Sequence, residues 1–91
     1  MFVLVSYDII KDKTRNKISK TMLDFGTRIQ YSVFECNLTE EQIERMINRL
    51  KKLFNEKEDS IRLYFLCEHC LKKTVVLGIG ELTKDREVYI I

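Results

Sequence analysis

The apolar run Phe2-Val3-Leu4-Val5-Ser6-Tyr7-Asp8 ends on the residue best suited to chemistry in this chain. A carboxylate at the carboxyl end of a hydrophobic strand is costly to bury and must find a cation, a metal ion or water. The blandest account of Asp8 is an ion pair with Arg15 or Lys17, or a hydrogen bond to the following helix. The functional account is metal chemistry on a phosphodiester, in which carboxylates hold a Mg²⁺ ion that polarises the phosphoryl group. One aspartate is too few for that. A twofold axis that brought Asp8 of two chains together would supply a pair whose mutual repulsion the ion relieves.

Cations follow closely in the sequence. The window from Lys11 to Arg28 holds six basic residues against Asp12 and Asp24, a local charge of +4 that leaves −2 for the rest of the chain. Arg15, Lys17, Lys20 and Arg28 are candidate phosphate contacts, since cations neutralise a nucleic-acid backbone without reading its sequence. Lys13 and Lys20, taken singly, read as a solvated helix face. Phe34 offers a ring on which a base could stack, although a strand aromatic more often packs in a core or an interface.

Cys67-Glu68-His69-Cys70 has the spacing of a metal or redox motif, yet a structural zinc site needs four ligands and there is one such cluster. The motif also lacks the strand-to-helix position near the chain start that a thioredoxin-like site requires. The cysteines are therefore expected to pack as small hydrophobes, and His69 to be solvated.

These residues need elements to position them. Phe2 to Asp8, β-branched and nearly continuously apolar, predicts a central strand. From Asp12 to Phe25, Ile18, Met22 and Phe25 recur at helical spacing, and Gly26 supplies a stop. Arg28 to Cys36 reads as a second strand, with Ile29, Tyr31 and Val33 on a core face and Arg28, Gln30, Ser32 and Phe34 on a mixed one. Thr39-Glu40-Glu41-Gln42 has the form of a capping box, opening a helix with the apolar stripe Ile43, Met46, Ile47, Leu50, Leu53 and Phe54. Asn55 to Ser60 reads as a loop, Ile61 to Cys67 as a strand, and Cys67 to Lys73 as a turn or single helical turn. Val75 to Leu77 reads as a further strand and Val88 to Ile91 as a short last one. The order β-α-β-α-β-β predicts an α+β, ferredoxin-like sandwich of the βαββαβ type, with two helices on one face of a four-stranded antiparallel sheet. The uncovered face invites a second copy of the chain.

Composition bounds the rest. Ninety-one residues, 45% hydrophobic and 33% charged, make one domain spanning residues 1–91. The longest purely apolar run, Met1 to Val5, falls far short of a bilayer span and lacks the basic segment of a signal peptide, so no membrane partner is expected. Three cysteines without a signal indicate reduced thiols and a cytoplasmic location.

Val5-Ser6-Tyr7-Asp8-Ile9, Arg15-Asn16-Lys17 and above all Gly26-Thr27-Arg28-Ile29-Gln30-Tyr31-Ser32-Val33-Phe34-Glu35-Cys36 closely resemble the small CRISPR-associated endoribonuclease family, the lesser of the two core proteins of spacer acquisition. The resemblance extends over essentially the whole chain, including Arg62-Leu63-Tyr64 and Leu66 to Cys70. It implies a ferredoxin-like homodimer whose C-terminal strand joins the partner's sheet, with Asp8 of both chains flanking the axis as ligands of one Mg²⁺. It further implies metal-dependent cleavage of single-stranded RNA or double-stranded DNA, and a scaffold role joining two dimers of the CRISPR integrase around incoming DNA. By position, Tyr7, Asp8, Arg15, Arg28 and Phe34 match residues the family associates with activity. Lys17 stands where an arginine is common, keeping the charge but not the planar fork.

Two functions follow as expectations. One is a Mg²⁺-dependent endonuclease taking part in spacer acquisition, with Asp8 as metal ligand and catalytic residue, Tyr7, Arg15, Arg28 and Phe34 beside it, and Lys13, Arg15, Lys17, Lys20 and Arg28 on the nucleic acid. The other is a non-catalytic nucleic-acid-binding scaffold that bridges integrase dimers.

Overall fold

The computed structural model describes residues 1–83. Seven elements follow in the order β1 (Phe2–Asp8), α1 (Asp12–Leu23), β2 (Thr27–Gln30), β3 (Val33–Asn37), α2 (Glu40–Lys51), β4 (Ser60–Leu66) and α3 (Glu68–Lys73). The four strands form one antiparallel sheet in the order β2-β3-β1-β4. The α1 crossover therefore passes over β3 and the α2 crossover over β1, giving two interleaved split β-α-β units. Crossovers of one hand put both helices on the same face, and α1 and α2 pack against each other there.

The expected strand from Arg28 to Cys36 is in fact a hairpin. The chain reverses at Tyr31 and Ser32, with a register irregularity between Arg28 and Gln30. Two-residue hairpin loops usually turn on residues with positive φ, typically glycine or asparagine. No non-glycine residue among those described has positive φ, so this turn carries none of the usual sequence marks. Splitting the segment supplies the fourth strand, and the element order becomes β-α-β-β-α-β. Val75 to Leu77, expected as that strand, is exposed and outside any ladder in the described chain. Its β-branched residues favour a strand only where a neighbour can accept the backbone bonds. Val88 to Ile91 lies outside the described residues.

The core sits between the helices and one face of the sheet. Val3, Val5 and Tyr7 of β1 meet Phe34 and Cys36 of β3, Ile18 and Met22 of α1, Phe25 just beyond it, and Ile43, Met46 and Leu50 of α2. Cross-strand register places Val3 beside Cys36 and Val5 beside Phe34, on one side of the pleat. The alternation in the hairpin is thus opposite to the expected one. Phe34 is fully buried, at 0% exposure, while Tyr31 is 92% exposed. The irregularity at Ile29 and the turn exchange the faces, which a simple period of two cannot register.

Local chemistry sets the ends of the helices. Thr39 and Gln42 form the expected capping box, Thr39 Oγ1 accepting from the Gln42 amide at 3.2 Å and Gln42 Oε1 from the Thr39 amide at 2.9 Å. α1 has Lys11 at its N-cap position, with no side-chain cap, and ends at Leu23. Gly26 serves a different purpose from the helix stop expected of it. Its φ is not positive, and a Cβ there would run into Cys36 Sγ and the Glu35 carbonyl oxygen of β3. Close approach of the α1–β2 turn to the sheet excludes a side chain.

Candidate functional site

Asp8 is the last residue of β1 and alternates with buried Tyr7, so its carboxylate stands on the face of the sheet away from the helices. It is exposed and takes part in none of the ion pairs of the described residues. The sequence left a pairing with Arg15 or Lys17 open, and the structure does not make it. Arg15 turns instead to the loop after β1. Its Nε and Nη2 donate to the Ile9 carbonyl at 3.2 and 2.9 Å, Nη2 also to the Ile10 carbonyl at 3.2 Å, and Nη1 pairs with Asp12 at 2.6 Å. A guanidinium committed to these oxygens fixes the path of the chain directly behind Asp8.

A second clamp holds the same corner from the other side. Asp59, just before β4, accepts from the Ile10 amide at 3.0 Å and from the Asn55 amide at 3.0 Å. Those two amide bonds, the Ile10 one foremost, hold its carboxyl below the ordinary carboxylate pKa. The loop expected from Asn55 to Ser60 is therefore a structured support, and it sets the start of β4 against the end of β1.

Beside Asp8 lies a shallow depression of about 230 Å³ lined by Ser6, Tyr7, Asp8, Ser60, Arg62 and Tyr64. Register explains the grouping: Asp8 faces Ser60 and Ser6 faces Arg62 across the β1–β4 ladder. Arg62 Nη1 lies 3.4 Å from the Tyr64 hydroxyl, and that neighbour raises the pKa of the guanidinium further. The sequence reads Arg62 to Tyr64 as part of a strand and assigns these side chains no role. The signal was present, since Ser60, Arg62 and Tyr64 alternate strictly with Ile61, Leu63 and Phe65.

The other candidates divide between supports and surface. Tyr7 is buried, its ring centroid 6.2 Å from that of Phe34, and its hydroxyl lies 3.4 Å from the Tyr31 carbonyl oxygen. Phe34 has no exposed surface and so stacks on no base; its ring carries the Arg28 guanidinium at 5.4 Å from the centroid. Lys13, Lys17 and Lys20 are exposed along α1, in the helix layer and not on the side of the sheet that bears Asp8. The cysteines also divide. Cys36 packs in the core as expected, but Cys67 and Cys70 are exposed, because α3 buries none of its residues. Backbone and side-chain hydrogen bonds from Cys70 lower the Cys67 thiol pKa, and donating that bond raises the pKa of Cys70.

Among the described residues no three His, Cys, Asp or Glu side chains gather in a way that could hold a metal ion. Among the described residues, what one chain offers at Asp8 is one carboxylate in a lining shared with Ser6 and Ser60. That all-oxygen set suits Mg²⁺, which is commonly held by one or two carboxylates and keeps several waters, and does not suit zinc. Among the described residues no helix is long and apolar enough to cross a membrane.

A four-stranded antiparallel sheet with two helices on one face and an acidic strand end on the other defines a small α+β protein of ferredoxin-like build. The family model for CRISPR associated protein Cas2 matches residues 1–74, and the chain belongs to that family. A relative from Chloroflexus aurantiacus, named as a CRISPR-associated endoribonuclease Cas2, is 38% identical over 91 residues, covering 100% of this chain and 98% of the relative. The crystal structure of Streptococcus pyogenes Cas2 superposes with a TM-score of 0.75 at 36% identity, over 86% of this chain and all of that one. A chain in a partial Cas6-RT-Cas1–Cas2 complex superposes with a TM-score of 0.66 at 32% identity, over 84% of this chain and 89% of that one.

Proposed function

We propose that this chain is a Mg²⁺-dependent endonuclease that hydrolyses phosphodiesters of single-stranded RNA or double-stranded DNA and works with the CRISPR integrase in spacer acquisition. The observation that carries the reading is Asp8: a carboxylate at the end of the central strand, exposed, outside the ion pairs of the described residues, with the chain behind it braced by Arg15 and Asp59. A carboxylate outside those ion pairs, on a strand end whose following loop is braced, keeps its capacity for a cation, and a positioned ligand is what a site needs to act on a transition state. The names of the relatives support nuclease activity, and the Cas1–Cas2 assembly supports an integrase partner.

Asp8 would hold the ion, with its counterpart from a second chain across a twofold axis completing the pair in a homodimer. A bound Mg²⁺ supplies Lewis-acid polarisation of the phosphoryl group and lowers the pKa of an attacking water. Arg15 holds the Ile9 and Ile10 carbonyl oxygens and so ties down the loop that follows the carboxylate. Tyr7, through Phe34 and the Tyr31 carbonyl oxygen, sets the pitch of the strand that presents Asp8. Cleavage of matched single-stranded RNA and duplex DNA by wild type and Asp8→Asn, with and without Mg²⁺, tests this. Loss of metal-dependent cleavage in the variant is expected, and unchanged cleavage would sink the reading.

A second reading, a nucleic-acid-binding scaffold without catalysis, is favoured by Lys13, Lys17 and Lys20, which are exposed on α1 and outside the ion pairs of the described residues. It expects duplex binding that weakens with salt and falls when these lysines are neutralised. It also expects spacer acquisition to survive Asp8→Asn. Acquisition lost in a variant that still assembles with integrase would count against it.

A further inference from the structure

We infer that Arg62 is a phosphate-binding residue of this site, gripping the non-bridging oxygens of a nucleic-acid backbone phosphate in the depression between itself and Asp8. The inference rests on the nuclease reading for the role of Asp8 and adds the group that receives the substrate.

The sheet places the two charges in register. Asp8 is opposite Ser60 and Ser6 opposite Arg62, so Asp8 and Arg62 are diagonal neighbours on one face of the β1–β4 ladder. Diagonal positions stand roughly 7–8 Å apart, within reach of a long side chain. An arginine there to neutralise the aspartate would reach across and pair with it. Arg62 does not. It takes part in none of the ion pairs of the described residues, and its Nη1 lies by the Tyr64 hydroxyl, at the end of the depression away from Ser60.

The consequence is an opened pair of charges with a polar hollow between them. A direct ion pair would consume the capacity of Asp8 for a cation and the capacity of Arg62 for an anion. Held apart, the carboxylate is free for a divalent ion and the planar guanidinium for the two oxygens of a phosphate, to which its geometry is matched. The Ser60 hydroxyl, on the Asp8 row, offers one further donor at the hollow. Interactions of this kind grip the backbone and carry no base information, so the recognition is independent of sequence.

Equilibrium binding of a mixed-sequence single-stranded RNA in EDTA, by fluorescence anisotropy across a salt series, tests the phosphate grip without cleavage. Arg62→Ala is expected to bind roughly tenfold more weakly. Its plot of log affinity against log salt should be shallower by about 0.7 for each phosphate that the variant leaves unneutralised. Arg62→Lys should keep the salt slope and, in Mg²⁺, still cleave more slowly, because it retains the charge without the fork. Unchanged affinity and slope in Arg62→Ala would overturn the inference. So would weaker binding with an unchanged slope and a lowered Tm, which mark a structural role. Cleavage by Asp8→Asn, run alongside, separates the two ideas: if it equals wild type the nuclease reading fails, while the EDTA titration still judges Arg62.

Discussion

The two faces of one sheet are built from the same strands and used in opposite ways. On the helix side, Val3, Val5, Tyr7, Phe34 and Cys36 are buried against both helices, and the Arg28 guanidinium lies over the Phe34 ring. On the other side, Ser6, Asp8, Ser60, Arg62 and Tyr64 gather at a shallow hollow, with a carboxylate and a guanidinium that take part in none of the ion pairs of the described residues. The pleat makes this division cheap. Each strand lends alternate residues to packing and to an exposed polar face, so a short chain can carry a candidate site without opening its core. The lesson is that activity and stability should separate by face.

Asp8→Asn is the strongest test of this division of labour. We expect metal-dependent cleavage to fall on the order of 10²–10³-fold, while the unfolding free energy from urea titration stays within about 0.5 kcal/mol of wild type, as for exposed positions elsewhere. A large loss of stability would show that Asp8 belongs to the scaffold. Phe34→Ala is the mirror experiment. Truncating this fully buried ring should cost about 3–5 kcal/mol in chemical denaturation. Reduced RNA affinity at full stability would instead restore a stacking role for the ring.

Gly26→Ala sharpens the boundary between the layers. The added methyl meets Cys36 Sγ and the Glu35 carbonyl oxygen, and overpacking of this kind costs about 1–3 kcal/mol. A Tm equal to wild type would show that the turn can move off the sheet. The smallest effect concerns the brace at Asp59. Its folded pKa is lowered by the Ile10 and Asn55 amides. Its stabilising contribution is therefore complete above the unfolded carboxylate pKa and disappears as pH falls through the lowered folded value. Asp59→Asn should be less stable than wild type at neutral pH and should converge with it in acid. A gap that persists below that window would rule out the ionised brace.

Much of the architecture was legible in the residues. The apolar run to Asp8 marked the central strand, the Thr39–Gln42 box marked the second helix, and both sit where they were expected. The hairpin was not legible, because Tyr31 and Ser32 turn the chain without glycine, proline or asparagine. That omission carried the error over Phe34, since its face depends on counting through an irregular register. At the candidate site, Asp8 stands out by its type and place. Its neighbour Arg62 does not, because strands distant in sequence bring it beside Asp8.

By itself the sequence determined the α+β class, the strand that presents a lone aspartate, the surplus of cations that follows it and the family to which the chain belongs. These are local or composition-borne properties, written in periods, caps and the order of residue types. Only the tertiary structure decided which side of the sheet each residue serves, that Arg15 and Asp59 brace the corner behind Asp8, and that Arg62 stands across the hollow from it. Those outcomes depend on register between strands far apart in the chain, where a shift of one position moves every side chain to the other face.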